Sequence, residues 1–125
     1  MEIKNQRALA TLLARLRKGN LQQSGLTEDL IPPSKEIAYR VAYLVERELG
    51  WKVKGWKIAA TNTEMQLALR TDTPIYGRVY SQFIKQSPLT VNFDELSSPI
   101  PEAEYQVFLG KDLPPRRDSY KTREV

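Results

Sequence analysis

The sequence contains no cysteine and no histidine. Without cysteine, the chain has neither disulfides nor a thiol nucleophile, which fits a reducing compartment, so we expect a cytoplasmic protein. Without histidine, imidazole metal ligands, a Ser-His-Asp triad and a histidine proton shuttle are all excluded. Any acid–base catalysis therefore depends on lysine, glutamate, aspartate or tyrosine.

Long apolar runs are also missing. No stretch approaches the roughly 20 apolar residues of a transmembrane helix. Residues 1–7 are mostly polar and lack the apolar centre of a secretion signal. We therefore expect no membrane partner.

The charge is basic but dispersed. The chain of 125 residues carries 19 basic and 15 acidic side chains, for a net charge of +4. The basic side chains cluster only briefly, at residues 15–18 and 116–117. Charge is the only feature that favours a nucleic-acid binder, so we predict a mildly basic surface and no nucleic-acid partner. The length suits one modest domain with a core.

Two amphipathic helices are predicted in the first 50 residues. One spans residues 4–18 and ends at Gly19, and the other follows the cap Ser34 and ends at Gly50. Their apolar stripes comprise Leu9, Leu12, Leu13 and Leu16, then Ile37, Val41, Leu44, Val45 and Leu49. This spacing is typical of helices packed on a core.

Short strands are predicted after the helices. Alternating or apolar runs cover residues 51–59, 77–84 and 89–93, and a further strand is expected to begin at Glu102. Helices followed by strands indicate an α+β fold. We divide the chain into a helical region, residues 1–50, and the first part of a β-rich catalytic domain, residues 51–125.

A short helix is predicted between the first two strands. Thr61 and Glu64 have the spacing of a capping box, with Thr61 as the cap. The helix is expected to run through Leu69, and the turn at residues 71–74 follows it.

An acidic pair, Glu102 and Glu104, is the first candidate for chemistry. Residues two apart on a strand point to the same face, so the two carboxylates would lie side by side. Such charges repel unless a cation or a shared proton separates them. Mg²⁺ accepts carboxylate oxygens and leaves other positions for water or substrate. A solvated surface pair is the alternative.

Lys57 is the second candidate. It lies between Trp56 and Ile58, which on a strand face the other way and would fill the core. A partly desolvated lysine, or one near another cation, loses affinity for its proton and can act as a base. A solvent-facing strand lysine is the alternative. Tyr76 would line a pocket or pack in a turn beside Gly77.

Four motifs occur in order along the chain. They are GWKIAAT at 55–61, DTPIYGR at 72–78, EAE at 102–104 and LGKDLPP at 109–115. As a set they resemble the 2-keto-4-pentenoate hydratase group, which includes 2-oxohepta-3-ene-1,7-dioate hydratases, of the fumarylacetoacetate hydrolase superfamily. The resemblance covers the whole chain, and it implies N-terminal helices packed on the first strands of a mixed, β-rich domain.

The resemblance also implies a metal-dependent lyase. Glu102 and Glu104 would hold Mg²⁺ or Mn²⁺, with a third carboxylate from a later strand that this chain does not carry. The substrate, a 2-oxo or 2-hydroxydienoate acid of aromatic-compound degradation, would chelate the ion. Lys57 would be catalytic, and Tyr76 and Ile75 would bind substrate.

Two departures from the family pattern leave alternatives open. Several hydratases of the group have an acidic residue where this chain has Ile75, whereas decarboxylases can have an apolar one. Decarboxylation of a 2-oxo acid therefore remains an alternative to hydration.

The second departure is length, because family members are about twice as long. We therefore expect an N-terminal portion with open strand edges that is nearly inactive alone. The family's symmetric oligomers imply a homo-oligomer, or association with the missing half or a paralogous subunit. A non-catalytic interaction subunit is a further alternative.

Overall fold

A computed structural model describes residues 1–124. Three α-helices and two β-strands occur in the order α1 (Ile3–Lys18), α2 (Lys35–Leu49), β1 (Val53–Ala59), α3 (Thr63–Ala68) and β2 (Ile75–Tyr80). The coarse prediction of an α+β fold is thus confirmed. Short 3-10 turns lie at Glu28–Leu30, Ser81–Phe83, Phe93–Glu95 and Thr122–Glu124.

Helix α2 begins and ends where local signals place it. At the start of α2, the Ser34 hydroxyl accepts a hydrogen bond from the amide of Ile37 at 3.4 Å. At its end, Gly50 adopts the left-handed conformation with φ of 65° and donates to the carbonyl of Glu46. The predicted caps of α2 are therefore both confirmed.

The helices α1 and α2 pack against each other through two small clusters of buried side chains. The first consists of Leu9, Ala10 and Val41, with Leu13, Leu44 and Val45 at its margin. The second joins Ala14 of α1, Leu49 of α2 and Tyr80 at the end of β2. The second cluster therefore packs the end of β2 against both helices.

The sheet consists of the two antiparallel strands β1 and β2, which α3 connects. Trp56 is opposite Arg78, Lys57 is opposite Gly77, and Ile58 is opposite Tyr76. Because side chains alternate across a strand, Trp56 and Ile58 share a face with Tyr76, Arg78 and Tyr80, and Lys57 lies on the other face. We call these the aromatic face and the lysine face.

Several predicted boundaries were wrong. Asn62, not Thr61, caps α3, because its Oδ1 accepts the amide hydrogen of Met65 at 2.8 Å. The second strand covers Ile75–Tyr80 and turns into a 3-10 segment instead of continuing to residue 84.

Two further strand predictions were also wrong. Within the described residues, neither 89–93 nor the segment that begins at Glu102 forms a strand. Their alternation has no neighbouring strand to bond, and a strand requires one. The residue range 1–124 also holds no helix with the length and hydropathy to cross a membrane.

Candidate functional site

The structure brings the three predicted chemical residues together. Lys57 extends from the lysine face of β1, and its ammonium donates to Glu102 Oε2 at 3.2 Å. The same ammonium donates to Glu104 Oε1. Glu102 and Glu104 therefore reach one point in space although their segment is not a strand. One cation, the ammonium itself, separates the two like charges in this arrangement.

This site is open to solvent. The side chains of Lys57 and Glu104 are about half exposed, and that of Glu102 is more exposed still. Gly77 is opposite Lys57 on β2, and a Cβ atom added to it would have no other atom within 4 Å. Space for a small ligand therefore exists beside the ammonium, on the lysine face.

The charge state of Lys57 follows from its partners. The hydrogen bond to Glu104 raises the pKa of Lys57 above its ordinary 10.5, the hydrogen bond to Glu102 adds to it, and partial desolvation opposes both. This direction is opposite to the lowered pKa expected of a base near neutral pH. The reason is that two carboxylates, and no second cation, contact the ammonium.

The carboxylates of Glu102 and Glu104 are ligands of the type that a hard divalent cation prefers. Carboxylate oxygens are the side-chain ligands that Mg²⁺ and Mn²⁺ prefer, and Glu102 and Glu104 supply them at one point. Among the described residues, however, no group of three or more acidic side chains is close enough together to hold a metal. An ion here would take its remaining ligands from water or from a bound acid.

Tyr76 lies on the aromatic face, away from Lys57. It stacks on Tyr39 of α2, with 4.3 Å between ring centroids, and meets Trp56 edge to face at 5.4 Å. Its amide donates to the Tyr39 hydroxyl at 3.3 Å. The register therefore separates the predicted substrate-binding Tyr76 from the predicted catalytic lysine by the thickness of the sheet.

Ile75 is opposite Ala59, which is two residues from Lys57 on β1. Its half-buried side chain belongs by register to the lysine face. Of the two predicted substrate-binding residues, only Ile75 shares a face with the ammonium by register, although Ile75 also lines the apolar groove beside Tyr76.

An apolar groove occupies the aromatic face. It has a volume of about 420 Å³ and is lined by Trp56, Ile58, Pro74, Ile75 and Tyr76. The expectation that Trp56 and Ile58 fill the core was wrong, because both are more than half exposed. Helix α2 contacts this face through Tyr76 and Arg78 of β2.

A polar contact that the sequence analysis missed fixes the same face. Arg78 donates through Nε to Glu46 Oε2 at 2.6 Å, and its guanidinium lies 3.5 Å from the ring centroid of Trp56. Both ion-pair partners are mostly buried. No local pattern marks this contact, because Glu46 and Arg78 are 32 residues apart.

The C-terminal region has its own ion pair. Arg116 forms a bidentate contact with Glu124, at 3.0 and 2.9 Å, and donates to the carbonyl of Ser119. The Arg116 guanidinium lowers the pKa of Glu124 below its ordinary value. These contacts close a local turn and do not reach the Lys57 site.

The sequence and the fold were also compared with known proteins. No protein-family model matches this chain, and no solved structure matches it.

Proposed function

We propose that this chain carries the lysine and the paired carboxylates of a metal-dependent lyase site. The reaction best supported by the residues is the addition of water to a 2-hydroxy-2,4-dienoate or 2-oxo-4-enoate. The observation that carries the proposal is the convergence of Glu102 and Glu104 on the ammonium of Lys57. An amine and two carboxylates at one open point suit proton transfer next to a chelated acid.

Each residue has a distinct role in this proposal. Glu102 and Glu104 would hold Mg²⁺ or Mn²⁺, which when bound stabilises negative charge at the 2-oxygen of the substrate. An ion between the carboxylates would also withdraw them from Lys57, and its charge would lower the pKa of the lysine. Lys57 would then take the hydroxyl proton of the dienol and deliver a proton to C5, the far end of the diene.

The addition of water completes the atom balance. Proton transfer converts the dienol to its 2-oxo-enoate isomer, with no atom gained or lost. Water would then add across the remaining double bond between C3 and C4, with hydroxide on C4, the carbon farther from the carbonyl, and a proton on C3. Ile75, on the same face as Lys57, would contact the substrate's carbon chain.

Decarboxylation of a 2-oxo acid is the second candidate, and the apolar side chain of Ile75 favours it. It uses the same charge stabilisation and proton delivery but has no attacking water. The two reactions differ in their products, because only decarboxylation releases CO₂. A non-catalytic interaction subunit is the third candidate, and the many exposed apolar side chains favour it.

Metal binding tests the site directly. Mn²⁺ titration followed by electron paramagnetic resonance should give binding at least about tenfold weaker in Glu102→Gln and Glu104→Gln than in the unmodified chain. Glu2→Gln is the matched control, since Glu2 is exposed and makes no side-chain cap contact. Equal Mn²⁺ affinity in all four proteins would refute the carboxylate assignment.

Proton exchange tests the role of Lys57. In D₂O with Mn²⁺, the chain should incorporate deuterium at C5 of a 2-hydroxy-2,4-dienoate, slowly because we expect the chain to be nearly inactive alone, and Lys57→Met should abolish this incorporation. Lys54→Met, an exposed lysine on the same strand, should retain it. Exchange that persists in Lys57→Met would count against a catalytic lysine and favour the interaction subunit.

A further inference from the structure

The aromatic face of the sheet combines an apolar groove with a guanidinium group. The groove has a volume of about 420 Å³, and its walls include Trp56, Ile58 and Tyr76. Small-molecule sites typically have volumes of roughly 300–1,000 Å³ and are mostly apolar, with a few polar groups that fix the orientation of the ligand. Trp56 and Tyr76 are 54% and 50% exposed, so each ring retains surface that a ligand can contact.

Arg78 supplies the cationic group, at the Trp56 end of the groove. It is opposite Trp56 in the sheet, and its guanidinium lies 3.5 Å from the centroid of the Trp56 ring. Trp56 also meets the Tyr76 ring edge to face. The Trp56 ring is therefore shared between the groove and the cation.

Two of the three guanidinium nitrogens of Arg78 have no partner among residues 1–124. Only Nε donates, to Glu46 at 2.6 Å, and no bond to Nη1 or Nη2 is formed. Neither nitrogen is a buried polar atom without a partner, so both are accessible to solvent. Two N–H groups side by side in one plane are the donors that bind both oxygens of a carboxylate.

The ligand that matches these features has a flat apolar body and a carboxylate at one end. An aromatic ring packs favourably against the Trp56 and Tyr76 rings, in offset or edge-to-face contact. Glu46 already offsets the charge of Arg78, so a carboxylate gains mainly from its hydrogen bonds. Because Glu46 also repels negative charge placed beside it, a singly charged carboxylate is favoured over a doubly charged phosphate.

We propose that the aromatic face binds a small aryl carboxylate, with its ring in the apolar groove and its carboxylate on Nη1 and Nη2 of Arg78. This site lies on the face of the sheet opposite Lys57 and uses neither Glu102 nor Glu104. The proposal therefore does not depend on the lyase chemistry of the Lys57 site.

A comparison of matched ligands tests the proposal on the unmodified chain. Isothermal titration at pH 8 should show that 2-naphthoate binds at least about tenfold more tightly than 2-naphthalenemethanol, which has the same ring and no charge. Equal affinities, or no binding of 2-naphthoate, would overturn the proposal. The dianion 2-naphthyl phosphate should bind less tightly than 2-naphthoate, and tighter binding would overturn the carboxylate assignment.

Nuclear magnetic resonance locates the bound ring. The indole N–H signal of Trp56, assigned by its loss in Trp56→Phe, should shift when 2-naphthoate is added. Trp51 is the internal control, because it packs against the second cluster of buried side chains and does not line the groove. A larger shift at Trp51 than at Trp56 would place the ligand elsewhere and overturn the proposal.

Substitutions test the role of the guanidinium. Arg78→Lys keeps the charge but loses the planar pair of donors, so it should weaken 2-naphthoate binding at least about fivefold. Arg40→Lys, the same change at an exposed position of α2, and Lys57→Met, on the other face of the sheet, should leave the affinity unchanged. Equal effects of the two arginine substitutions, or weaker binding in Lys57→Met, would overturn the proposal. The ligand comparison needs no variant, so it decides the question even if Arg78→Lys fails to fold.

Discussion

Lys57 and Glu102 are 45 residues apart in the sequence, and their side chains form an ion pair at 3.2 Å. With the neighbouring pair to Glu104, this contact ties the irregular segment around residue 103 to β1. The Glu104 side chain is about half exposed and that of Glu102 more so, so the attachment depends on charge in water and is screened by salt.

Removal of the ammonium should therefore release this segment. We expect Lys57→Gln to increase chymotryptic cleavage after Tyr105 and Phe108 severalfold at low ionic strength, with no change in the helical signal by circular dichroism. High salt should cause the same increase in the unmodified chain. Lys54→Gln is the control, and equal cleavage in the two variants would contradict an ionic tether.

The contact between Arg78, Glu46 and Trp56 should stabilise the fold more than an exposed ion pair. Arg78→Met keeps the aliphatic stem but removes the ion pair and the cation–π contact. We expect a loss of about 1–2 kcal/mol in the free energy of unfolding by urea denaturation. Arg40→Met, at an exposed position of α2, should change it by less than about 0.5 kcal/mol. Similar losses in both variants would argue against the network.

Gly50 and Gly55 provide a test of backbone conformation alone. At both positions an added Cβ meets no atom within 4 Å, but only Gly50 has a positive φ, 65°. Gly50→Ala should therefore cost about 1 kcal/mol of unfolding free energy, because a left-handed conformation is unfavourable for alanine. Gly55→Ala, in a strand, should be neutral or slightly stabilising. The reverse order of stabilities would contradict the left-handed C-cap.

The pair of Lys35 and Asp72 should give stability a modest dependence on pH. The hydrogen bond from Lys35 lowers the pKa of Asp72 below 3.8, so the contribution of Asp72 is present above 3.8 and lost as the pH falls through the lowered value. The hydrogen bond to Asp72 raises the pKa of Lys35 above 10.5, so its contribution is present below 10.5 and lost as the pH rises through the raised value.

Comparison with Asp72→Asn measures this dependence. The difference in unfolding free energy between the unmodified chain and Asp72→Asn should be largest near neutral pH and low salt, and should vanish in strong acid. Asp112→Asn, an exposed aspartate that forms no ion pair among the described residues, is the control. A difference that does not change with pH would rule out the ionic contribution.

The helices show how much of this fold the sequence determines. The predicted helix 4–18 is found at Ile3–Lys18, and the second begins after Ser34 and ends at Gly50, as predicted. Helix hydrogen bonds join residues four apart, and caps act within one turn, so these signals lie within a short stretch of sequence. The proximity of Glu102 and Glu104 also follows from their spacing of two residues, although the strand on which it was expected does not form.

Tertiary structure decided the rest. Residues 89–93 and 105–109 alternate like strands, but no other strand among the described residues pairs with them. Strand β1, in contrast, pairs with β2, to which a short helix and a turn connect it. The placement of Tyr76 on the face opposite Lys57 depends on the strand register. A change of register by one residue would move every side chain of the strand to the other face. Contacts between distant segments, such as those of Arg78 with Glu46 and of Lys57 with Glu102, exist only once the chain has folded, because no local spacing encodes them.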